Sequence, residues 1–197
     1  WIERRVQTSE FDVGGHQDFI EWFAENPAEA QIEFRASGTA EDVVNRTTAT
    51  IGSWSLGGNE MGQARDHKLH FGLPTELEEA MAYTYVEDRY EAIETALAAL
   101  TACINGTIGY NALRKGLEIE DVTTTVRIPV DLRVLFGIHG VDKAAEMYGD
   151  LEIDVEVTAP NLSDEEMEMV REFPKRSPVY NLLTREHPST PNFTFQS

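Results

Sequence analysis

The sequence predicts an α+β fold, and three observations carry that prediction. From Leu151 to Thr158, apolar Leu151, Ile153, Val155 and Val157 alternate with Glu152, Asp154, Glu156 and Thr158, a period of two that buries one strand face and wets the other. From about Val86 to Lys115, Ile93, Leu97, Leu100, Ile104 and Ile108 recur at steps of three and four, which is helical spacing. Strands on both sides of this helix and a late capping box at Ser163–Glu166 complete the pattern, so antiparallel sheets are expected around a long central helix.

The elements follow in order. Residues 1–30 read as a helical lead-in, with Phe19, Ile20, Trp22 and Phe23 set among acidic residues, packed on the body and stopped at Asn26-Pro27. Residues 31–197 read as one domain. Its first strand alternates through Ile32, Phe34 and Ala36; a second extended stretch runs from Arg46 to Leu56 and breaks at Gly57-Gly58-Asn59. Residues 60–87 read as a long connection holding one short strand, Lys68 to Phe71. The long helix stops at Gly116, and a strand through Val122, Val126, Ile128 and Val130 precedes the alternating one. The capped helix is ended or kinked by Pro174, Ser177-Pro178 opens a short helix, and a last strand is expected at Asn192 to Phe195.

Of 197 residues, 35 are Asp or Glu and 16 are Lys or Arg, giving a formal charge of −19 that repels nucleic acid and anionic membranes alike. Only four cations are lysines, Lys68, Lys115, Lys143 and Lys175. An acidic, lysine-poor surface suits concentrated salt, where a Debye length of about 3 Å at 1 M removes self-repulsion. A salt-adapted protein should melt later as salt rises to molar levels; an unchanged midpoint would leave a merely acidic protein. A single cysteine rules out an intramolecular disulfide, and the charged opening lacks an apolar signal core. No run of about 18 apolar residues is evident. A cytoplasmic protein is the expectation.

That cysteine, Cys103, is the chief chemical candidate. Ala96, Ala99, Gly106, Thr107 and Tyr110 lie within a turn or two on its side of the helix, so small residues leave room beside the sulfur. A reactive thiolate also needs a cation, and a sulfur in mid-helix draws little help from the helix itself. His67 and His70 beside Asp66 suggest metal ligands only weakly, because three residues along a strand places the two rings on opposite faces. No phosphate loop, dinucleotide fingerprint or nucleophile-elbow serine is present, and no cofactor is expected.

The segment Glu94-Thr95-Ala96-Leu97-Ala98-Ala99-Leu100-Thr101-Ala102-Cys103 resembles the cysteine helix of the OsmC/Ohr family of osmotically inducible and organic-hydroperoxide-resistance proteins. Asp131-Leu132-Arg133 within Ile128 to Ile138, Lys175 to Tyr180, and the lead-in from Asn26 with Asn45-Arg46-Thr47 extend the likeness over about residues 26–195. The resemblance implies an intertwined homodimer with the cysteine at the interface, peroxidatic Cys103, an activating arginine at Arg46, and Glu94 holding that arginine. Glu94 and Cys103 are about 13 Å apart along an ideal helix and on opposite faces, so direct contact is excluded. Ser177 stands where the family has its resolving cysteine, so a Cys103 sulfenate would need an external thiol. The expected activity is thiol-dependent reduction of organic hydroperoxides; the rival is a non-catalytic dimer that holds an apolar small molecule in the interface cleft.

Overall fold

The computed structural model describes residues 11–196, so the first ten residues of the lead-in lie outside the described residues. In chain order the elements are α1 (Val13–Glu25), β1 (Ile32–Glu33), β2 (Ser37–Ala40), β3 (Thr47–Ile51), β4 (Trp54–Leu56), β5 (Asn59–Met61), β6 (His67–Phe71), α2 (Thr75–Ala80), α3 (Ala92–Lys115), β7 (Asp121–Arg127), β8 (Glu152–Thr158), α4 (Asp164–Glu172) and α5 (Pro178–Thr184). The chain forms two compact units that divide between Ala96 and Leu97, inside α3.

In the first unit, Asp12 caps α1 by accepting from the N–H of Gly15 at 3.0 Å. The helix forms where expected, but none of its residues is buried: Phe19 and Trp22 stay 45% and 43% exposed. Its aromatic side chains pair with each other, Phe19 to Phe23 at 4.2 Å between centroids. Two antiparallel sheets follow, ordered β1-β4-β5 and β2-β3-β6. The expected turn is real and makes a two-residue hairpin: Gly57 and Gly58 take φ of 55° and 79°, pairing Leu56 with Asn59. The connection expected over residues 60–87 is more structured than its composition suggested, since it holds most of β5, β6 and the helix α2.

The second unit is built on α3, which begins at Ala92, six residues later than the periodicity placed it. Val86 to Tyr90 belong to the approach, where Tyr90 makes a bridge to Phe71. Leu100, Ile104, Ile108 and Ala112 are buried with Val170 and Phe173 from the α4 region. β7 and β8 pair antiparallel in register Val122↔Val157 and Val126↔Ile153, and lay their apolar face on this core. Val130, expected inside the first of these strands, sits beyond its end in an isolated bridge to Tyr148. The capping box forms as read, with Ser163 Oγ accepting from Glu166 N–H and the Glu166 carboxylate accepting from Ser163 N–H at 2.8 Å. Asn192 to Phe195 form no strand; Phe193 and Phe195 are exposed and stack on each other, and among the described residues no strand pairs with them. By length and composition α3 is apolar enough to cross a membrane, although its apolar residues do not form an unbroken run. Its four buried residues make it the core helix of this unit.

Candidate functional site

Cys103 is half-buried, one residue before the fully buried Ile104. The helix beside it is open: Ala99 and Gly106 are exposed, and a methyl group added at Gly106 or Gly109 would meet nothing within 4 Å. The small-residue flank read from the sequence is therefore uncovered in this chain, and a reagent could approach the sulfur from that side.

Arg46 lies in the first unit and is 4% exposed. It ends a turn in which Asn45 takes the left-handed φ of 63°, a conformation asparagine tolerates, and its N–H bonds Val43 O at 3.1 Å before β3 begins. The guanidinium is held by a carboxylate the sequence reading missed. Nε and Nη2 donate to the two oxygens of Glu78, at 3.2 and 2.7 Å, in a bidentate fork, and Glu78 is 0% exposed. Nη2 also donates to Tyr85 O at 3.1 Å, and Nη1 to Glu87 at 3.3 Å. The rings of Tyr83 and Tyr85 each have their centroid 6.0 Å from the guanidinium carbon. The bond from Arg46 holds the Glu78 carboxyl below the usual carboxylate range against the opposing effect of burial, with help from the N–H of Glu87. Arg46 is raised in turn, chiefly by Glu78.

A second arginine extends the network. Arg89 donates to both oxygens of Glu41 at 2.8 and 2.9 Å and to Glu87 at 3.0 Å, so Glu87 is shared between two guanidiniums. Glu41 is lowered mainly by Arg89 and then by Thr48, whose hydroxyl donates to it at 2.9 Å. Gly72 leaves room for the Arg89 stem, since a Cβ there would stand 2.9 Å from Arg89 Cδ. α2, which carries Glu78, is followed after its cap Met81 by Ala82 in the left-handed region at φ 63°. That position favours glycine, so Ala82→Gly should stabilise the unit by about 0.5–1 kcal/mol, measurable as a higher denaturant midpoint; an unchanged or lower midpoint would show that the strain is negligible.

Glu94, expected to hold Arg46, is not among the partners of that guanidinium in the described residues. Its carboxylate is exposed in the first turn of α3, while the acidic partners of Arg46 are Glu78 and Glu87. Glu94 instead lines a cleft of about 510 Å³ with His70, Glu87, Arg89 and Tyr90. The signal that could have found Glu78 was the acidic run around it, from which the short helix α2 buries Glu78 alone. Ser177 is fully buried and caps α5, accepting from Tyr180 N–H at 3.2 Å, which is the role of a helix cap. His70 Nδ1 lies 3.1 Å from Thr48 Oγ1, its cross-strand partner. Among the described residues no three His, Cys, Asp or Glu side chains are arranged to hold a metal.

Short antiparallel sheets and a long helix bearing a cysteine on its open side make an OsmC-like α+β fold. The chain matches the model of OsmC-like proteins over residues 87–191, more than half of its length, and belongs to that family. The solved OsmC like protein from Mycoplasma pneumoniae superposes with a TM-score of 0.50 at 16% identity, over 77% of this chain and 86% of that one. Two further structures are more distant in shape. The organic hydroperoxide resistance protein OhrB of Bacillus subtilis has a TM-score of 0.44 and 12% identity over 77% and 90% of the two chains. An organic hydroperoxide resistance protein OsmC from Legionella pneumophila has 0.47 and 14% over 77% and 88%. No curated protein matches the chain. Cys103, Glu94 and Ser177 fall inside the matched segment, whereas Arg46 and Glu78 precede it.

Proposed function

We propose that this protein reduces organic hydroperoxides through Cys103, with an external thiol as reductant and no cofactor. The observation that carries the reading is a half-buried cysteine on the open side of the core helix, in the segment matched to OsmC-like proteins. The Cys103 thiolate attacks a peroxide oxygen; an S–O bond forms as the O–O bond breaks, and the departing alkoxide takes a proton to become the alcohol. Cys103 is left as a sulfenic acid. One external thiol condenses with it, releasing water, and a second displaces Cys103 as thiolate, leaving the external pair as a disulfide. Arg46 is the proposed cation for the thiolate, and Glu78, rather than Glu94, holds it. A homodimer working in the cytoplasm completes the proposal.

Two observations favour the second reading, a non-catalytic dimer that binds an apolar molecule. Ser177 replaces the second thiol, and most of the N–H groups of Arg46 are already engaged. Cumene hydroperoxide with dithiothreitol, and dimedone trapping of the sulfenic acid, separate the two. Turnover and a Cys103 adduct in the wild type, both lost in Cys103→Ser, are expected. An inert wild type with no adduct would hand the protein to the binding reading.

A further inference from the structure

The second unit contains a cavity of about 530 Å³ that excludes Cys103 from its walls. Its floor is Ile108 of α3, one side is the inward face of β8 (Ile153, Val155, Val157), and the other is formed by Leu162 and the α4 region. Cys103 and Ile108 are five residues apart, about 140° around an α-helix, so the cavity faces away from the sulfur. The walls are almost wholly aliphatic, without an aromatic ring on which a flat ligand could stack. From Ile153 to Val157 the β8 wall runs for about 13 Å at about 3.3 Å per residue, the length of an alkyl chain of about ten carbons. One charged side chain joins the lining, Arg171 in the last turn of α4. Its Nε donates to Glu168 at 3.0 Å, and its two Nη groups carry no hydrogen bond among the described residues. A straight aliphatic trough with one guanidinium, and no carboxylate among its lining residues, is complementary to an aliphatic anion: methylenes leave water along β8, and a carboxylate takes the open edge of the arginine fork.

We propose that this cavity binds a linear alkyl carboxylate of about ten to twelve carbons, headgroup on Arg171, independently of the chemistry at Cys103. The test is displacement of 11-(dansylamino)undecanoate from the full chain in molar salt, where the net charge of −19 is screened. Dodecanoate should displace the probe at least tenfold better than dodecyltrimethylammonium. Arg171→Gln, an exposed change that leaves the core alone, should weaken binding about tenfold. Val157→Trp should abolish it by filling the trough, and Ala159→Phe blocks the same space from a half-buried position should the first variant misfold. Cys103→Ser should bind as the wild type does, which keeps this result separate from the fate of the peroxidase proposal. Equal displacement by the cationic amphiphile, binding that survives a filled trough, or a wild type that ignores the probe while Val157→Trp dissociates a dimer would each overturn it, the last by assigning the trough to a second copy of the chain.

Discussion

Glu78→Ala is expected to lower the melting midpoint by about 10 °C, because it strands a buried guanidinium. In the folded protein the carboxylate of Glu78 takes two N–H bonds from Arg46 and one from the backbone of Glu87, so one residue ties the start of β3, the helix α2 and the approach to α3 together. Few other groups could compensate: among the described large apolar side chains of this unit only Leu73 is buried, and the remainder are half-buried or exposed. Acidity should expose the same dependence. The folded carboxyl of Glu78 lies below its ordinary range, so its contribution is fully present above that range and is lost as pH falls through the folded value. Glu41, held down chiefly by Arg89, acts with the same sign. Glu78→Gln keeps an acceptor but no charge, so it should melt lower than the wild type at pH 7 and lose less on acidification. Circular dichroism melts from pH 7 to pH 3 would show the two curves converging; parallel curves would mean that the Arg46–Glu78 pair is not what acid breaks.

That pair was the least legible part of the site, for a physical reason. Arg46 and Glu78 are 32 residues apart, and nothing local to either predicts the other. Glu94 was nominated through its place in a motif, which fixes position along a helix but says nothing about what approaches from another segment. Periodicity succeeded where one element buries its own face over many residues: β8 over seven residues, and α3 over 24. It covered β1 and β4 only as parts of longer extended stretches and missed β5, because elements of two or three residues are too short to show a period of their own. It also failed for α2, whose single turn is hidden in an acidic run with one buried glutamate. At the C-terminus Phe193 and Phe195 alternate as a strand would, yet alternation makes a strand only where a partner pairs with it, and among the described residues they pair with none. Ser177 shows the opposite case, since its reading as a helix cap needed only Pro178 and the following turn, both local.

Arg46 has been given two roles, clasp of a polar core and activator of Cys103, and a pair of substitutions separates them by sign. Arg46→Met and Glu78→Gln both remove half of a buried pair, so both should lower the melting midpoint. Their electrostatic effects are opposite. Losing the guanidinium leaves the negative charge of Glu78 without its counter-ion and Glu87 with Arg89 alone, whereas losing the Glu78 charge leaves the charge of Arg46 less compensated than before. If the field of Arg46 reaches the sulfur, Cys103 alkylation by iodoacetamide at pH 7 should slow about tenfold in Arg46→Met and quicken in Glu78→Gln, since the thiolate is the reacting species. Glu94→Gln should change the rate less than twofold, because that carboxylate is exposed and has no part in the Arg46 fork. Local unfolding would quicken both buried variants together and would be seen in the melts. Opposite signs under folded conditions can arise only through charge, whereas rates that move together or not at all would leave Arg46 as a clasp and require another source of positive potential for Cys103.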